Sequence, residues 1–88
     1  MAEILGTYRN YGVVQGGDIN DYINTGGYHI RPNDYEYSNT PDNNNAALLV
    51  FKSSDSSYVV QFYMTLYSKL FVRIKTNNWQ SWKEFAFL

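Results

Sequence analysis

Between residues 58 and 75 the chain alternates apolar and more polar side chains with a period of two, and this pattern constrains the fold most. In residues 58–66 the even positions are Tyr58, Val60, Phe62, Met64 and Leu66, against Val59, Gln61, Tyr63 and Thr65. In residues 70–75, Leu70, Val72 and Ile74 alternate with Phe71, Arg73 and Lys75. Successive side chains of a strand point to opposite faces, so two half-buried strands are predicted. With Tyr67-Ser68-Lys69 as a three-residue loop, Leu66 faces Leu70, Met64 faces Val72 and Phe62 faces Ile74. The second face then pairs Tyr63 with Arg73 and Gln61 with Lys75. A two-residue loop puts Arg73 opposite Phe62, and burying an unpaired charge there is costly. The expectation is a core on the side of Phe62, Met64, Val72 and Ile74, with Gln61, Tyr63 and Arg73 opposite.

The remaining segments divide by composition. Residues 46–51, Ala46-Ala47-Leu48-Leu49-Val50-Phe51, are apolar at both parities, which fits a central strand. The polar stretch Ser53-Ser54-Asp55-Ser56-Ser57 joins it to residue 58 as a turn. Residues 82–88 read as a closing strand with poorer alternation. All six glycines and both prolines lie in residues 1–45, so that half reads as turns and short strands laid against the sheet. Within it, Tyr28-His29-Ile30-Arg31 is a short strand stopped by Pro32. Asp18 caps a single helical turn over Ile19-Asn20-Asp21-Tyr22-Ile23. The predicted architecture is mostly β: one domain, a small antiparallel sheet or sandwich with a short helical turn.

A chain of 88 residues buries only about 60–65% of its unfolded surface, which leaves a narrow stability margin. With no cysteine, neither a disulfide nor a thiolate zinc site adds to it. Self-association is the remaining source of stability, and a homo-oligomer is expected. The net charge of -1, with scattered Lys and Arg, argues against nucleic acid. No apolar run approaches the length of a membrane span, and the first residues lack the basic and apolar regions of a signal peptide.

No catalytic residues emerge. The sequence has no Cys nucleophile, GxSxG elbow, phosphate-binding loop or HExxH motif. His29, the single histidine, has no partner at a diagnostic spacing, and the carboxylates fall mostly in predicted turns. Asp42-Asn43-Asn44-Asn45 and Asp55 offer oxygen ligands, but the calcium-loop spacing is missing and such runs usually form turns. The expectation is a binding module without enzyme activity, metal or cofactor.

Candidate ligand-binding residues are the aromatics beside polar groups. Gln61, Tyr63, Arg73 and Lys75 share one hairpin face, with Trp79 and Trp82 just beyond. Flat rings next to amide and guanidinium donors suit stacking on sugar C–H faces while binding hydroxyls. The same residues are also suited to being covered by the Gly-rich half or by another subunit, and that reading is the stronger one for Gln61, Arg73, Trp79 and Trp82. Residues 33–45 form a polar loop holding Tyr35 and Tyr37. Either these rings belong to a saccharide-binding surface, or they fold back to enlarge the core. The candidate ligand set is therefore Tyr35, Tyr37, Tyr63, Arg73, Trp79 and Trp82.

A set of short motifs occurs in a suggestive order: Asp18-Ile19-Asn20-Asp21, Gly27-Tyr28, Asn39-Thr40-Pro41, Gln61, Phe71-Val72-Arg73 and Trp79-Gln80-Ser81-Trp82. Together they resemble the pyocin-knob type of domain over about residues 18–85. That family often has Gly or Pro inside the last motif, where this chain has Gln80-Ser81. The resemblance implies a tail-fibre module of phages, prophages and pyocins, made in the host cytoplasm and carried on the virion. It implies a homotrimer contacting a bacterial surface glycan or teichoic acid, or alternatively a spacer or trimerisation module with recognition elsewhere. Residues 18–88 form the knob-like domain on this reading, and residues 1–17 a linker or a shaft or oligomer contact.

Overall fold

The alternating segments form the centre of the observed sheet. The structure is a computed structural model that describes residues 9–85. Six strands pair in one sheet: β1 (Arg9–Val13), β3 (Gly26–Ile30), β5 (Ala46–Lys52), β6 (Val59–Thr65), β7 (Leu70–Lys75) and β8 (Lys83–Phe85). Two-residue strands β2 (Gly17–Asp18) and β4 (Tyr37–Ser38) make a separate small ribbon, and Ile19–Asp21 form a 3-10 turn. The fold is a mostly β single domain, as expected, with the Asp18 cap in place: its side chain accepts from Asn20 N at 2.9 Å.

The sheet is mixed rather than antiparallel throughout. β5, β6 and β7 run antiparallel to their neighbours, but β1 pairs with β3 in parallel, as β2 does with β4. β1 also brings residues 9–13, read from sequence as part of a linker or contact segment, into the sheet as an edge strand. Its neighbour Gly26 has φ +152°, and a Cβ there would lie 2.4 Å from Arg9 O, so this approach requires glycine. The closing strand covers Lys83–Phe85, and residues 86–88 of the expected strand lie outside the described residues.

The β6–β7 hairpin corrects the predicted register by two residues. Met64 pairs with Leu70, Phe62 with Val72 and Gln61 with Arg73, around a four-residue connection over residues 66–69. Thr65 explains the change: its Oγ1 accepts from Tyr67 N and Lys69 N, both at 3.2 Å, and its N–H donates to Lys69 O. Ser68 takes φ +64° to close the turn. The division of side chains between faces survives this shift, because a two-residue slip keeps parity.

The face that is buried, however, is the opposite of the one expected. Val59, Gln61, Tyr63 and Thr65 of β6 and Phe71 and Arg73 of β7 are buried beside Tyr28, Ile30, Ala46, Leu48 and Val50. The chain's own first half covers this side, with Ile19 fully buried and Val14, Tyr22, Ile23, Tyr37, Trp79 and Trp82 packed against the cluster. On the other side Leu49, Phe51, Phe62, Met64 and Ile74 remain 37–47% exposed. The continuous apolar run of β5 thus serves two faces, of which the described residues cover one.

Candidate functional site

The buried face carries polar side chains among its apolar ones because the layer covering it is made of turns, whose backbone carbonyls need donors. Gln61, 0% exposed, donates from Nε2 to Ile19 O and Tyr22 O, both at 2.9 Å. Its Oε1 accepts from Arg73 Nε at 2.9 Å. The Arg73 guanidinium is 4.0 Å from the Trp79 ring centroid and 4.4 Å from that of Trp82, so both Trp rings hold it. Burial lowers its pKa to about 10, with Asp18 opposing the shift, so it stays charged at neutral pH. The two indoles tie back to the loops, Trp79 Nε1 donating to Asn20 O at 3.2 Å and Trp82 Nε1 to Asn39 O at 2.9 Å.

Of the candidate ligand residues, Tyr63 and Arg73 therefore lie in the interior. Tyr63 is fully buried, with its hydroxyl donating to Asp42 O at 3.2 Å and Asn44 O at 3.3 Å, and burial raises its pKa. Trp79 and Trp82 are half-buried, each with Arg73 close to its ring. Tyr37 is half-buried too: its hydroxyl donates to Val14 O and accepts from Arg31 N at 3.2 Å. The structure thus separates the two loop tyrosines. Both border an open cleft, but Tyr37 also anchors the loop to the core, as one of the two readings required.

That cleft, of about 280 Å³, is bounded by Pro32, Tyr35, Glu36, Tyr37, Thr40 and Asn43. Its frame is fixed at many points. Asp34 N and Tyr35 N donate to Arg31 O at 3.0 and 3.1 Å, and Arg31 pairs with Asp34 at 2.5 Å. Gly17 N donates to Glu36 O at 3.0 Å, and Asn39 Nδ2 to Asp18 Oδ1 at 2.7 Å. The hydrogen bonds from Asn39 and the Asn20 N–H hold the Asp18 carboxyl below its usual pKa. Gly16 lets the chain pass this close: at φ +94° a Cβ would lie 2.8 Å from Glu36 O. Of these residues, the sequence pointed to Thr40 only within the Asn39-Thr40-Pro41 motif and to Asn43 only within a turn-forming run of oxygen ligands, and it did not point to Glu36.

A second hollow, of about 460 Å³, lies between β3 and β5 beside Gly27, His29, Ala47, Leu49 and Leu66. It arises where Gly27 and Ala47 leave little side chain, and Gly27 is paired directly with Leu49. Among the described residues, no group of three or more His, Cys, Asp or Glu is placed to hold a metal ion.

No protein-family model matches the sequence, and no curated protein matches it. Among solved structures, the chain is similar to the R1 pyocin fibre of P. aeruginosa, in a fragment of C-terminal residues 323–701. The TM-score is 0.79 at 21% identity, covering 96% of this chain and 24% of that one. The two share a fold. The chain spans about a quarter of the length of the fibre fragment.

Proposed function

We propose that this chain is a binding, non-catalytic module of a phage-tail-like fibre that contributes to adhesion to a bacterial surface saccharide or teichoic acid. The fold shared with a segment of a pyocin fibre supports the fibre setting, carried on a virion or related particle. The observation that carries the adhesion reading is the loop over residues 33–45. Tyr37, Asn39, Asp42 and Asn44 tie it to the body of the domain, while Tyr35 borders a cleft open to solvent. Such a loop loses little conformational entropy on binding, because the fold has already fixed it. An array of bacterial glycans and teichoic acids, probed with the whole chain, is expected to give selective binding. Absence of binding across the array contradicts the adhesion role.

A second reading, assembly of the fibre, is favoured by the open sheet face. Leu49, Phe62 and Val72 form one cross-strand row, and Phe51, Val60 and Ile74 another. A contiguous apolar surface of this kind marks an interaction site on a soluble domain. The hollow beside Gly27 and Ala47 gives that face a recess for a side chain from a partner. We assign the face to contact between copies of this chain, with a trimer as the expected state. The two readings are compatible, since they use opposite sides of the sheet.

A further inference from the structure

We infer that the cleft around Tyr35 and Glu36 binds an uncharged, polyhydroxylated ring and discriminates against phosphate-bearing sugars. This inference rests on the adhesion reading and narrows it to one site and one charge class of ligand. The volume of about 280 Å³ is near the lower end of small-molecule sites, which suits one sugar ring. Its chemistry is complementary to such a ring. Tyr35 supplies a flat amphipathic surface for the C–H face of a ring, Asn43 an amide that both donates and accepts, and Thr40 a hydroxyl.

Glu36 sets the charge preference. It is exposed, and among the described residues it is the one acidic residue lining the cleft and forms no ion pair. A carboxylate presents two acceptor oxygens side by side, which match neighbouring hydroxyls on a ring. Among the described residues no Lys or Arg lines the cleft, and the nearby Arg31 is engaged by Asp34. Residues 31–45 hold one arginine against three carboxylates, Asp34, Glu36 and Asp42. A phosphate group entering here meets like charge without a compensating cation. The site therefore selects the neutral saccharide over teichoic acid.

The test is a titration of the whole ¹⁵N-labelled chain with glucose, galactose, mannose and rhamnose, and with glucose 6-phosphate and mannose 6-phosphate. The expected result is shifts of the Tyr35, Glu36, Thr40 and Asn43 amides with at least one neutral sugar. The matching phosphate ester should bind at least tenfold more weakly. Glu36→Gln, at an exposed position, should weaken the neutral sugar severalfold and narrow the gap to the ester. Tyr35→Ala should abolish the response. Equal binding of neutral sugar and ester overturns the charge selection while leaving adhesion standing. Sugar-induced shifts confined to another surface overturn the site but not the saccharide reading. No response to any sugar, with an empty glycan array, overturns both.

Discussion

The two faces of the sheet differ in a way that reverses ordinary expectation: the side buried by the chain itself is the more polar, and the side left open is the more apolar. On the covered side Gln61 and Arg73 are 0% and 6% exposed; Gln61 is fully paired, whereas Arg73 bonds through Nε and lies against two Trp rings while its Nη2 is buried without a hydrogen-bond partner among the described residues. On the open side Phe62 and Val72, paired across β6 and β7, meet no covering layer among the described residues. The covering layer decides the matter. A layer of turns presents carbonyls and indole rings, which an amide and a guanidinium match better than a methyl group. The apolar face is left for a surface that is equally apolar, which on the assembly reading proposed above is a second copy of the chain.

The largest expected effect comes from breaking the polar side. Gln61→Leu leaves two carbonyls and Arg73 Nε without partners in the interior, at a cost of about 3–5 kcal/mol. Thermal melting should fall by more than about 10 °C in a domain of this size. A change of a degree or two means that Gln61 is a passive occupant. Arg73→Met is expected next, at about 1–3 kcal/mol, since it removes the contacts with both Trp rings and orphans Gln61 Oε1. Chemical denaturation of both variants and of the pair together should show strong non-additivity, as the residues share one network.

Phe62→Ala sharpens the comparison from the open side. A fully buried Phe costs about 3–5 kcal/mol on truncation, but Phe62 is partly exposed in the single chain. The expected loss for the dissociated chain is roughly 1 kcal/mol, measured by denaturant at low concentration. A full core-sized loss there means that the two faces are not distinct.

The smallest effect is the acid dependence of the loop frame. The Asp18 carboxyl has its folded pKa lowered first by the hydrogen bond from Asn39 and then by the Asn20 N–H. A carboxyl depressed in the folded state contributes stability above its unfolded value near 3.8, and that contribution disappears as pH falls through the folded value. Melting curves between about pH 2 and 5 should therefore decline less steeply for Asp18→Asn than for the parent chain. Parallel curves remove Asp18 from the acid response.

Much of the sheet was legible in the sequence, because strand existence follows from local alternation. β7 lies at the predicted bounds, β5 and β6 within one residue or so of theirs, and the Asp18 turn forms as its capping residue requires. What was not legible is which face the domain buries. Alternation divides residues between two sides, but the identity of the inside depends on the covering layer, which comes from distant turns. Counting hydrophobic atoms favoured Phe62 and Met64, and gave no weight to Ile19 O and Tyr22 O waiting for Gln61. The hairpin register was missed for a similar reason, since the Thr65 hydroxyl bonds set the turn. At the candidate site, Tyr35 was legible from composition and Asn43 as part of a run of oxygen ligands, whereas Glu36 acquires meaning only from the folded path beside Gly16. Tyr63 and Arg73 looked like ligand contacts because polar residues in a strand resemble a solvent face until their interior partners are seen.

The most direct test of the two-face account is sedimentation equilibrium on the parent chain and on Phe62→Glu, with circular dichroism on each. The parent chain is expected to form a homo-oligomer, with a trimer mass. The variant should sediment as a monomer of about 10 kDa with its β spectrum intact. A parent chain that stays monomeric at high concentration contradicts the account. So does a Phe62→Glu variant that remains fully assembled.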